Sequence, residues 1–85
     1  MLTEDKIIGI YCIVDDILKS IGHAEDSRRK VSDSEIITTA LASALYFGGH
    51  LDNGRGFMKV TKLVPAMLGK SRFNRRLRVL RTKIL

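Results

Sequence analysis

Eighty-five residues leave room for one small domain, and an apolar share of 45% is enough to fold it, which excludes wholesale disorder. The net charge of +6 is unevenly placed: residues 1–26 carry a net −4 and residues 27–85 a net +10, so only part of the surface suits an anionic partner. Cys12 is the single cysteine, which excludes an internal disulfide, and its apolar surroundings predict a buried, inert thiol. There is no secretory signal and no run long enough to cross a membrane, so a cytoplasmic location is expected.

Thr3, Glu4 and Asp5 supply a capping hydroxyl and acids for the positive end of a first helix over 4–21. Ile7, Ile10, Tyr11, Val14, Ile17, Leu18 and Ile21 share an arc about 120° wide, the spacing of a core-facing helix. Ile8, Cys12 and Ile13 widen that arc beyond the need of a small surface helix, which predicts packing on two sides. Gly22 ends the helix, and residues 23–31 read as a charged connection containing Arg28-Arg29-Lys30. Ser32-Asp33-Ser34-Glu35 is a capping box, with Asp33 and Glu35 both assigned to the helix start. The second helix runs over 33–47, and its alanines permit close approach of a neighbour. Gly48-Gly49 stops it. A third helix over 53–63 places Phe57, Val60 and Val64 on one face and Arg55, Lys59 and Lys62 on the opposite one. Pro65 either ends that helix or opens a one-turn helix over 65–68.

The fourth helix, 71–85, begins with Ser71 in the N-cap position. Residues 69–85 hold seven bases and no acid: Lys70, Arg72, Arg75, Arg76, Arg78, Arg81 and Lys83. Phe73, Leu77, Leu80 and Ile84 form its apolar edge, and arginine, whose fork matches phosphate oxygens, outnumbers lysine. The fold class is all-α, a small four-helix bundle in one domain over 1–85.

Catalytic chemistry has no support in the spacing. Asp15 and Asp16 point about 100° apart on a helix, and His23 and His50 have no Cys or His at ligand spacing. Gly48-Gly49 lacks the flanking residues of a phosphate loop. No catalytic, metal or cofactor residue is assigned, and the chain as it stands is expected not to be an enzyme. Duplex DNA is the expected partner, contacted by Lys70, Arg72, Arg75, Arg76, Arg78 and Arg81, with Arg55, Lys59 and Lys62 as a second line. The second and third helices, joined by Gly48 to Asp52, also have the order of a helix-turn-helix, as in a small DNA-binding regulator.

Three runs carry a resemblance: Ser32-Asp33-Ser34-Glu35-Ile36-Ile37-Thr38, Ala44-Leu45-Tyr46-Phe47-Gly48-Gly49 and Lys70-Ser71-Arg72-Phe73-Asn74-Arg75-Arg76-Leu77. In this order the chain, from near Met1 to about Leu77, resembles the amino-terminal region of bacterial insertion-sequence transposases of the DDE class. The resemblance implies a non-catalytic module that helps to recognise the element ends or holds the synaptic complex together during transposition. The three catalytic acids and two metal ions of that class belong to a later ribonuclease-H-like domain, to which nothing here corresponds. The chain stops in mid-pattern at Ile84-Leu85, as a fragment of a longer protein would. An exposed Phe73, Leu77, Leu80 and Ile84 stripe, together with Ile8, Cys12 and Ile13, predicts assembly as a homodimer or docking on the absent catalytic domain.

Overall fold

The computed structural model describes residues 3–23 and 30–84, with backbone only at 83 and 84. Residues 24–29 of the expected connection, the last residue of the fourth helix, and the Lys83 and Ile84 side chains lie outside the described residues. Helices α1 (Thr3–Ser20), α2 (Asp33–Tyr46), α3 (Leu51–Val60) and α4 (Lys70–Ile84) follow in order, with no strand among the described residues. The fold is the expected all-α bundle.

Helix α1 closes with a Schellman cap: His23 N–H donates to the Leu18 carbonyl at 3.0 Å and Gly22 N–H to Lys19 at 3.1 Å, with Gly22 at φ 72. The capping box of α2 is complete. Glu35 N–H donates to Ser32 Oγ at 3.1 Å, and Ser32 N–H donates to Glu35 Oε1 at 2.8 Å. Two left-handed glycines, Gly48 at φ 60 and Gly49 at φ 82, turn the chain so sharply that α3 starts at Leu51 rather than 53. Thr3 and Ser71 both lie inside their helices rather than capping them. In α4 the first turn is already closed by Phe73 N–H on the Gly69 carbonyl at 3.0 Å.

Helix α2 is the hub, packed against each of the other three helices. Beside Ile36 and Ala42, its buried face is small and polar: Ser34, Thr38, Thr39 and Ser43 are buried. Their hydroxyls are satisfied locally, Thr38 on the Ser34 carbonyl (2.7 Å), Thr39 on Glu35 (2.8 Å) and Ser43 on Thr39 (2.7 Å). Ser34 Oγ instead reaches across to Asp15 Oδ1 at 3.0 Å, and Asp15 also pairs with Lys19. Short side chains let neighbouring helices come close, and the closest approach is at Gly54. A Cβ there would stand 1.8 Å from Ser43 Oγ and 3.0 Å from Ser43 Cβ.

That approach decides which face of α3 turns inward. Gly54 and Met58 are buried; of the expected Phe57, Val60 and Val64 face, Val64 is in the core and Phe57 packs against it, but Val60 is 81% exposed. Helix α3 also ends three residues early. Thr61 caps it and Lys62 takes a left-handed conformation at φ 63, so that Val64 can drop into the core with its N–H on the Met58 carbonyl. Residues 65–66 make a turn rather than a one-turn helix, and the Leu68 carbonyl accepts from Arg55. The core gathers Ile7, Val31, Ile36, Ala42, Met58, Val64, Phe73 and Leu80, with Leu77 packed against it. Phe73 and Leu80 are therefore inside, and the expected exposed stripe of α4 is the face that docks on α2.

Two stability measurements check this packing. Ser32→Ala is expected to lower unfolding free energy by about 1 kcal/mol in urea titration, the usual loss for a hydroxyl cap. Gly54→Ala is expected to destabilise by about 2 kcal/mol through overpacking, with part of that loss recovered when Ser43→Ala removes the obstructing Oγ.

Candidate nucleic-acid interface

The arginines separate into two groups once they are placed. Arg76 faces inward, its side chain 16% exposed, with Nη2 2.7 Å from Asp33 Oδ1 and Nη1 donating to the Val31 carbonyl. On the other carboxylate oxygen, His23 Nε2 lies 2.8 Å from Asp33 Oδ2. An ionised carboxylate only accepts, so the imidazole donates there. Asp33, assigned from sequence to the helix cap, is instead the centre of a His23–Asp33–Arg76 clasp, with its side chain 6% exposed. Burial alone would raise its pKa, but the hydrogen bonds from His23 and Arg76 and their nearby charge prevail, and the carboxyl sits below its ordinary value.

Arg55 is also held internally. It pairs with Asp52, donates to the Leu68 carbonyl at 3.4 Å, and sets Cζ 5.9 Å above the Phe73 ring. Of its expected partners in a second cationic line, Lys59 stands one turn further along the same side of α3 and borders the same cleft, but Lys62 does not continue the line. Lys59 is exposed on α3, and Lys62 lies past the helix end. On α3, Lys59 is the one cation facing outward, with Asp52 and Asn53 exposed on the same helix, so α3 is a poor recognition helix.

The remaining candidates come together. Lys70, Arg72, Arg75, Arg78 and Arg81 are all exposed on α4, and on a wheel of 100° per residue Arg75 and Arg78 lie opposite buried Phe73 and Leu80, with Arg72 on the flank beside Arg76. Beside them is a cleft of about 320 Å³ lined by Lys30, Val31, Leu68, Arg72, Arg75 and Arg76. Lys30 was not singled out from sequence because it belonged to a connection. Its adjacency to Val31, whose burial and carbonyl anchor Arg76, is what brings it to α4. Three exposed cations, Lys30, Arg72 and Arg75, thus border one groove whose nearby acid, Asp33, is already engaged. Such a groove fits the spaced anionic oxygens of a phosphodiester backbone.

Cys12 is exposed, contrary to the expected buried thiol, because α1 buries Ile7, Val14 and Leu18 and Cys12 lies well round from them. Among the described residues no three His, Cys, Asp or Glu side chains gather as a metal site would need, and no helix is long and apolar enough to cross a membrane.

The clasp yields a stability prediction with a definite pH sign. Because the folded carboxyl titrates below its ordinary value, its contribution is complete above about pH 4 and is lost as pH falls through the folded value. Asp33→Asn is expected to cost about 3 kcal/mol at pH 7 by urea denaturation, and the gap from the unaltered chain should shrink progressively below about pH 4.

No protein-family model, no curated protein and no solved structure matches the chain, so the likeness to transposase amino-terminal regions stands on the three quoted runs of residues alone.

Proposed function

We propose that the chain is a non-catalytic DNA-binding module of an insertion-sequence transposase, which holds duplex DNA at the element ends. The observation that carries this reading is the outer face of α4. Arg72, Arg75, Arg78 and Arg81 are exposed on a helix with no acid, beside a groove that adds Lys30. Like charges at such spacing repel, which a helix without an anionic partner usually relieves with interspersed acids. Arg55 and Arg76 take no direct part; they hold the helix that presents the others. Backbone phosphate contacts provide most of the affinity, so binding weakens steeply with salt.

Fluorescence anisotropy with a labelled duplex across a salt series tests this. Arg72→Ala, Arg75→Ala and Arg78→Ala are each expected to weaken binding and to lower the magnitude of the log K against log salt slope by about 1, while Lys59→Ala leaves it unchanged. Failure of the unaltered chain to bind duplex at 50 mM salt (about the low end of the usual range) would sink the reading. So would equal affinity in the triple variant with helicity intact.

A further inference from the structure

The outer face of α1 has a pattern that neither the core nor the basic helix uses. Ile7, Val14 and Leu18 are buried against the bundle, yet Ile13 and Ile17 are 61% and 53% exposed and Ile10 is half-buried. Lys6, Ile10, Ile13 and Ile17 recur at intervals of four, three and four residues. This spacing confines them to an arc of about 60°, and it is the seam of a coiled coil. Helix α1 thus carries two apolar stripes, of which the bundle covers one. Leu41 and Leu45 on α2, the helix beneath it, are exposed too, the latter at 64%.

We infer that this second stripe pairs with the same stripe of a second copy, antiparallel, about a two-fold axis near residues 11 and 12. The choice of occupant rests on charge. In that register Ile10 meets Ile13 of the second copy, and Lys6 lies within one residue of Asp16 of the second copy. Two symmetry-related Lys6–Asp16 pairs therefore close both ends of an isoleucine seam. Both groups are exposed and available. Lys6 makes a long contact with the Tyr46 ring, 6.0 Å from the centroid, and Asp16 feels the charge of Lys19 without a hydrogen bond or ion pair among the described residues. A parallel pairing would instead stack Lys6 on Lys6 and Asp16 on Asp16. Helix α1 packs chiefly on α2, so pairing through α1 leaves both copies of the α4 basic face uncovered. Of the surface expected from sequence, Phe73 and Leu80 of α4 are buried and Ile13 of α1 belongs to this seam, while Ile8 and Cys12 lie off it; the interface is independent of whether the chain binds DNA.

Sedimentation equilibrium of the full chain at hundreds of micromolar decides the matter. A dimer is expected, with Ile13→Glu weakening it by about tenfold or more and leaving helicity unchanged, and with the melting temperature unchanged once both chains are diluted to monomer, because Ile13 is exposed. Val79→Glu, an exposed site on α4, should leave the dimer intact. The register has its own test: Lys6→Glu and Asp16→Lys each weaken association, and the double exchange restores it. A monomeric wild-type chain, a dimer indifferent to Ile13→Glu, or a double exchange no stronger than the single ones would each overturn the inference.

Discussion

The Asp33 carboxylate, in the first turn of α2, receives His23 from the end of α1 and Arg76 from the middle of α4, while Arg76 also holds the Val31 carbonyl. Segments after α1, at the start of α2 and in the middle of α4 thus meet on one buried anion, the last 43 residues away in sequence. Its position at the positive end of the α2 dipole favours the ionised form, and each oxygen has a donor. An unpaired buried carboxylate is costly, so removing any partner leaves the others exposed to that cost. The clasp therefore fixes the rotation of α4 about its own axis. With Arg76 turned inward beside Phe73 and Leu80, Arg72, Arg75 and Arg78 have only solvent to face.

Helix α2 can serve as the hub because its buried face, apart from Ile36, is made of the small side chains Ser34, Thr38, Thr39, Ala42 and Ser43. Small side chains bring helices close, and hydroxyls bonded to the preceding turn leave no unsatisfied polar atom to bury. Gly54 completes the arrangement by removing the one side chain that would collide with Ser43. The consequence is an inversion along α2, polar within and apolar at Leu41 and Leu45 without. The bulky core is supplied mainly by neighbours, with Met58, Val64, Phe73 and Leu80 filling the space around Ile36.

Two arginines on neighbouring helices illustrate how one residue type takes unlike roles. Arg55 and Arg76 resemble their exposed counterparts in sequence, but each closes a gap between elements, one over Phe73 and the Leu68 carbonyl, the other at the clasp. Their long stems cover apolar surface while the guanidinium satisfies carbonyls that no helix would otherwise pair. A basic face read from a wheel thus counts internal fasteners among its contacts.

The sequence by itself determined the elements. The Ser32–Glu35 box, the Gly22 and Gly48-Gly49 stops and the apolar spacing of α1 and α4 are local signals, set by hydrogen bonds and dihedrals within a few residues. It also marked α4 as the basic helix, since composition survives any packing. Only the tertiary structure decided which faces are covered. The inward turn of Gly54 in place of Val60 follows from a close approach to Ser43, eleven residues away. The left-handed turn at Lys62 follows from the need to bring Val64 to the core. The withdrawal of Arg76, the recruitment of Lys30 and the exposure of Cys12 and Ile13 are of the same kind. Each depends on a partner from another segment, and a helical period fixes the angle between side chains but not which angle meets the rest of the molecule.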